Sequence, residues 1–467
     1  MSRVTGNQKD KLIMLHTNMK SLSAAMLLSL AFVTPSQAAV SEAEAAKIGT
    51  TLTPTGADAS ASGAIPAWTG GITTMPAGYQ DGEKLVDPYA ADKPLFVIDG
   101  SNYTQYSDKL SAGQVALFEK YPDSFRMPIY PTQRSAIYPD FINEATVKNA
   151  RDTRLTEDGN GLENYVEGTP FPIPASGLEV IWNHVVRYRG GSVERVVNQV
   201  TPQANGDYTP VEFKEEFTFR DKLTDYKPGK DDNVLFYFKQ DVVSPARLAG
   251  NVLLVHETIN QVKEPRKAWI YNAGQRRVRR APQVAYDGPG TASDGLRTSD
   301  NFDMFNGAPD RYDWKLVGKQ EMYIPYNAYQ LNSGELKYDD LVRPGHLNPD
   351  HTRYELHRVW KVEATLKEGK RHIYAKRVFY IDEDTWQASV IDHYDGRGSL
   401  WRVAEAHQVV YYGQQVPWYA AEVLHDLTSG RYLALGLDNE ESGTFVFGAK
   451  RSSRDYTPAA LRRSGRR

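Results

Sequence analysis

The sequence predicts a mainly β protein with some helix (α+β), a curved antiparallel sheet preceded by a loop-rich N-terminal extension. Three observations predict it. Apolar and polar residues alternate with a period of two in the second half of the chain, as in Val211, Phe213, Phe217 and Phe219 against Glu212, Lys214, Glu216, Thr218 and Arg220. Between Tyr354 and Tyr412, strand-like runs are separated by clusters of turn residues. Before about residue 175, proline and glycine interrupt the pattern, leaving only short helical stretches. The division that follows is a signal peptide over 1–38, a Pro/Gly-rich extension with short helices over 39–175, an antiparallel sheet domain over 176–450 and a basic tail over 451–467.

In chain order, Lys11 and Lys20 precede an apolar run from Leu22 to Val33, broken by Pro35 and followed by Ser36-Gln37-Ala38. A basic start, a short apolar core and a small-x-small site make a Sec-type signal peptide cleaved near Ala38, which places the mature protein in the periplasm. A spanning helix needs roughly 20 apolar residues, more than this run has. Met14 and Met19 are alternative starts. Ser41 and Glu44 have capping-box spacing before a short helix that closes on Gly49. Residues 51–100 read as extended coil. Ser111 and Gln114 form a second capping box, with Pro122 as the stop, and a third helix is expected over Phe141 to Arg151. The connector Thr169-Pro170-Phe171-Pro172-Ile173-Pro174 marks the boundary.

Leu235–Phe238 and Val252–Val255 are short apolar runs suited to strands, and Ala268–Tyr271 and Arg276–Arg279 flank the turn Asn272-Ala273-Gly274. Strands over 354–366, 371–381, 386–394 and 400–412 then form a meander. A sheet this long must close into a barrel or curl around helices to cover its apolar face. Charges spread over both strand faces, and the basic C-terminus, speak against a membrane barrel.

Composition narrows the function. The chain has no cysteine, which excludes a lipoprotein anchor, disulfides and thiolate chemistry. The formal charge of −3 becomes −6 without the four cations and one anion of residues 1–38, and it argues against nucleic-acid binding. The 28 Tyr, 16 Phe and 8 Trp fit β-rich proteins and amphiphile-binding cavities. Stability must come from a core, and at roughly 150 residues per domain the length allows two or three units.

Several of these stretches carry a family resemblance. Ile48-Gly49 through Trp68-Thr69-Gly70-Gly71-Ile72, GQRRVRRAP (274–282), DGLRTSDNFDMFNGAPDRYDWKLVGKQEMYIPYN (294–327) and ELHRVWKVEATLKEGKRHIYAKRVFYIDEDTWQASVIDHYDGRGSLWRV (355–403) resemble the proteobacterial family known as domain of unknown function 1329, labelled as related to outer-membrane lipoprotein sorting. The resemblance implies a lipoprotein-carrier-like half-barrel wrapped around helices, with an apolar cavity that shields an acyl chain. It also implies an association with exporters of the resistance-nodulation-division type or an outer-membrane protein. Fold alone does not assign function.

Candidate sites follow, each with its plainer alternative. Leu356, Trp360 and Val362 share one strand face, Ile373, Ala375 and Phe379 another, and Trp386 with Val390 a third. As a cavity lining they would bind an acyl chain at about 0.8 kcal/mol per methylene; the alternative is a filled core. Arg276, Arg277, Arg279 and Arg280 suit an anionic head group, or form a solvated strand end paired with acids such as Asp287. Asp287, Asp294, Asp300, Asp303 and Asp310 fail the EF-hand spacing and read as turn formers. His346, His351 and His357 lack helical ligand spacing, and His256-Glu257 lacks a second His, so no metal centre and no cofactor are expected. Asp392 and Asp395 read as turn formers rather than a hydrolytic dyad, and no GxSxG, Walker loop or GxGxxG is present. The expected function is a non-enzymatic periplasmic carrier or chaperone for a lipid or other hydrophobic molecule. The alternatives are an accessory subunit that docks on an exporter or outer-membrane complex, and an envelope hydrolase.

Overall fold

The computed structural model describes residues 40–465 apart from Asp81, Asp231 and Thr444, so the signal peptide expected over 1–38 lies outside the described residues. The chain opens with the short strands β1 (Phe96–Ile98) and β2 (Met127–Ile129) and the hairpin β3 (Arg154–Leu155) and β4 (Leu162–Glu163). One meander runs through β5 (Ser192–Val200), β6 (Val211–Phe219), β7 (Val234–Ser244), β8 (Val252–Thr258), β9 (Lys267–Asn272) and β10 (Arg277–Arg280). A second runs through β11 (Tyr312–Pro325), β12 (Tyr354–Leu366), β13 (Lys376–Asp382), β14 (Ala388–Tyr394), β15 (Leu400–Tyr411), β16 (Val416–Asp426) and β17 (Tyr432–Leu437), and β18 (Val446–Phe447) follows. β17 pairs antiparallel with β5, which fuses the two meanders. β2 adds a parallel bridge at Tyr354 of β12, and β1 pairs with β2. The result is a large, curved, mixed sheet that ends at β1 and β10 and does not close into a barrel.

The helices are α1 (Glu42–Ala45), α2 (Ala112–Lys120), α3 (Asp140–Asp152), α4 (Gly177–Val185), α5 (Tyr338–Leu341) and α6 (Pro458–Ser464). Both expected capping boxes are formed, Ser41 with Glu44 and Ser111 with Gln114. α4 was hidden at the domain boundary, although Ser176 and Glu179 form a third capping box there. In the second meander, strand alternation sends Val362, Phe379, Ile381 and Ala404 to one face and Val359, Val378, Tyr380 and Val403 to the other. α4 packs on the first face: a Cβ at Gly177 would lie 2.9 Å from the Leu316 nitrogen and 3.0 Å from Val362 Cγ1. α2 covers the second, where a Cβ at Gly113 would lie 2.4 Å from both Asp392 Oδ1 and Val403 Cγ2. Helices thus cover both faces, and most strand residues are buried whichever way they point.

The segment read as a basic tail packs on the sheet. Tyr456 and Leu461 are fully buried against Tyr237, Leu254 and Tyr271 on the back of β7–β9. The N-terminal extension lies against the turn between β13 and β14: Trp386 Nε1 donates to the Thr55 carbonyl at 3.0 Å, and the Tyr138 hydroxyl to the Thr385 carbonyl at 2.9 Å. Trp386 does not start a strand as the pattern predicts. It sits in that turn at φ 56, a conformation costly for a bulky residue and held here by its burial and indole bond.

Candidate functional site

The expected apolar lining is divided by the structure. Val362, Phe379 and Trp386 are buried in the core on the α4 side, with the half-buried Trp360 packed against it. Leu356 and Val390 belong to the cluster beneath α2. The separation of Trp386 from Val390 has a local cause, because the β13–β14 register slips between Tyr380 opposite Val390 and Ile381 opposite Ala388. The extra residue, Ser389, reverses the alternation. β13 begins at Lys376, so Ile373 stands outside the strand, 38% exposed, and does not share a face with Phe379. Ala375 precedes the strand too.

Arg276, Arg277, Arg279 and Arg280 are exposed on and beside β10, the last strand of the sheet. Arg280 lies over the Trp269 ring at 5.0 Å. None of the four pairs with an acid among the described residues; Asp287, their expected partner, lies 3.8 Å from Arg311 instead.

A crevice of about 60 Å³ opens elsewhere, between the front face of β7–β8 and the loop spanning residues 284–306. Cross-strand pairing of Phe236 with Glu257, Phe238 with Val255 and Gln240 with Leu253 builds its floor. Val284 and Phe302 close the apolar side. Its polar end holds two guanidiniums of different standing. Arg266 Nε lies at ion-pair distance, 2.7 Å, from Glu257 Oε2, and that oxygen accepts from Asn306 Nδ2 at 2.8 Å. Arg297 is 5% exposed, forms no ion pair among the described residues, and leaves Nε and Nη1 without hydrogen-bond partners. Glycine at 290 makes room for it, since a Cβ there would lie 2.9 Å from Arg297 Nε. Glu422 is the carboxylate that feels Arg297 electrostatically, but it is beyond ion-pair distance. Burial, reinforced by Asp303, raises Glu422 above the usual carboxylate range, which weakens it as a countercharge to Arg297. The crevice can therefore take an anionic group beside an apolar wall.

The Asp-rich loop over the crevice contains more than turn formers. Asp303 and Asp294 do occupy left-handed turn positions, at φ 52 and 49. Asp303 is also buried between Arg187 and Arg189 at 2.5 Å from each, and buried Asp300 lies 2.5 Å from Arg377 and 3.0 Å from His372. These pairs hold the loop to β13 and to the segment between α4 and β5. Asp395 caps its turn through the amides of Arg397 and Ser399, as expected, whereas Asp392 accepts from Ser111 Oγ at 2.8 Å and the Gly113 amide at 2.9 Å, fixing the start of α2. His346 bonds Ser124, and His357 lies beside Asp382 and Asp384. Neither Arg297 nor the Glu257–Arg266 pair carries a motif; the available signals were the unpatterned arginine in DGLRTSD and the charged end of the 252–258 strand.

No helix among the described residues is long and apolar enough to cross a membrane. The family model described as a protein of unknown function, DUF1329, matches residues 97–462. An uncharacterized protein of Pseudomonas aeruginosa is 62% identical over 459 residues, 98% of this chain and 99% of that one. Among solved structures, a putative outer membrane lipoprotein-sorting protein domain from Vibrio parahaemolyticus is 12% identical with a TM-score of 0.41, covering 58% of this chain and 92% of that one. A DUF1329 family protein from Desulfovibrio piger is 16% identical with a TM-score of 0.40, covering 61% and 95%. A LolA superfamily protein from Nitrosomonas europaea is 11% identical with a TM-score of 0.36, covering 61% and 98%. On the family match and the Pseudomonas relative, the chain belongs to the DUF1329 family.

Proposed function

We propose that the protein is a non-enzymatic periplasmic carrier for an amphiphile with an anionic head, which Arg297 receives while the apolar part lies on Phe236, Phe238, Val255 and Phe302. The observation that carries this reading is the buried Arg297 guanidinium with two unused donor nitrogens at the end of an apolar crevice. Burying an uncompensated cation is costly, and a ligand anion removes that cost. The volume sets a condition on the mechanism. At about 60 Å³ the crevice is smaller than a 150 Å³ cavity that admits benzene, so an acyl chain enters only when the 284–306 loop lifts from the sheet. Each methylene buried there contributes about 0.8 kcal/mol. The signal-peptide reading of residues 1–38 supports a periplasmic place for this work, and an exporter or an outer-membrane protein is the proposed partner.

The test is titration of the purified protein with a long-chain fatty acid and with the alcohol of the same chain. Charge-assisted hydrogen bonds contribute about 1.5–3 kcal/mol, so the acid binds roughly 10- to 100-fold more tightly, and Arg297→Gln erases the difference. Failure to bind either molecule favours the docking subunit. Equal affinity for acid and alcohol overturns the role of Arg297.

A further inference from the structure

Far from the crevice in sequence, the end of the β12–β13 ladder gathers a second group of buried polar side chains. Val359 pairs with Asp382, which brings His357 beside Asp382 and the turn residue Asp384. His357 Nδ1 lies 3.9 Å from Asp382 Oδ1 and 3.9 Å from Asp384 Oδ2, and the three atoms all fall within 4.8 Å of one another. A point equidistant from them is about 2.2–2.5 Å from each, slightly longer than zinc's bonds to imidazole nitrogen and carboxylate oxygen, so a small inward shift of the three side chains completes the contacts.

The surroundings prepare the three atoms differently. His357 Nε2 faces Glu355 Oε2 at 3.1 Å. With the proton on Nε2, the Nδ1 lone pair points toward the aspartates, and the carboxylate behind the ring fixes the tautomer as it does for metal-bound histidines. Asp382 is fully buried: its Oδ2 accepts from the Thr385 amide at 2.9 Å and hydroxyl at 2.7 Å, while Oδ1 has no partner. Asp384 is steadied by Arg134, with Nη2 at 2.6 Å from Oδ1 and Nε at 3.0 Å from Oδ2, which leaves Oδ2 a second lone pair. Tyr326 stacks on the imidazole at 3.9 Å, and its buried hydroxyl has no partner either.

Charge points the same way. Arg134, Arg353, Arg358 and Lys319 bond to Asp384, Glu383, Glu355 and Asp92, and none of them contacts Asp382 among the described residues. A cavity of about 210 Å³, lined by Thr53, Thr55, Trp68 and Tyr138 of the N-terminal extension among others, reaches Asp384 at the edge of the cluster.

We propose that His357, Asp382 and Asp384 bind one divalent metal ion of the zinc class, using Nδ1, Oδ1 and Oδ2. One imidazole and two carboxylates suit a borderline first-row ion better than a soft one, and leave a coordination position for water. The bound ion pins the turn that Thr55, Arg134 and Tyr138 of the extension grip from outside, so it clasps the extension to the sheet.

The experiment strips the full chain with a chelator, reloads it with zinc and measures bound metal after gel filtration, with X-ray absorption at the zinc edge on the loaded protein. One zinc per chain with a single imidazole and only oxygen donors besides is expected. His357→Gln and Asp382→Asn each bring the bound metal to background while circular dichroism stays native. If a variant does not fold, the donor count on the unmodified protein decides. No retained zinc, two or more imidazoles, or undiminished binding in both folded variants overturns the proposal.

Discussion

Replacing Glu405 by glutamine is expected to stabilise the protein, and only above mildly acidic pH. Glu405 is fully buried on β15 under α2, accepts from Gln114 Nε2 at 2.9 Å and the Tyr354 hydroxyl at 3.0 Å, and has no cation partner among the described residues. Burial raises its carboxyl from 4.5 to about 7. Between these values the folded state holds a proton that the unfolded state releases, so this contribution is full below about 4.5 and is lost as pH rises through about 7. At 1.36 kcal/mol per unit, the loss approaches roughly 3 kcal/mol by pH 8. Asp392, raised to about 6 mainly by burial, adds a loss of the same sign. Glutamine keeps an acceptor for Gln114, and its amide can donate to the Tyr354 oxygen, so Glu405→Gln removes the cost without removing the bonds. Urea unfolding of both proteins, followed by tryptophan fluorescence at pH 4, 5, 6, 7 and 8, should give midpoints that agree at pH 4 and diverge upward, with the variant higher. A variant equally destabilised at every pH would refute the reasoning, because a lost hydrogen bond would then outweigh ionisation.

Two further outcomes follow from the packing. Asp303→Asn leaves Arg187 and Arg189 buried against a neutral group, and should lower stability by about 3–5 kcal/mol and loosen the 284–306 loop, read by thermal unfolding and hydrogen exchange. Gly113→Ala forces a methyl group to within 2.4 Å of Asp392 and Val403, and should cost about 1–3 kcal/mol in urea unfolding by lifting α2 from the sheet.

The meander from 354 to 412 was legible because alternating side chains and turn clusters recur there at strand length, and the structure keeps β12 and β15 within a residue of the expected bounds. The ends of β13 and β14 were not, because Ile373 and Trp386 are apolar residues placed by tertiary contacts rather than by the pleat. Ser389 gives no compositional sign of a bulge, yet it decides which face Val390 takes. The loop aspartates read as turn formers because Arg377, Arg187 and Arg189, which bury two of them, are distant in sequence. His357, Asp382 and Asp384 meet only through the β12–β13 ladder, which no local spacing encodes. Arg297 differs from the exposed arginines beside β10, which also lack acid partners, in being buried, a property of three-dimensional surroundings alone.

The most direct test of the carrier account is native mass spectrometry, with lipid extraction, of the protein purified without detergent. The account predicts about one anionic amphiphile per chain, and markedly less on Arg297→Gln prepared in the same way. A clean apo mass that does not shift after incubation with fatty acids or phospholipids would contradict it.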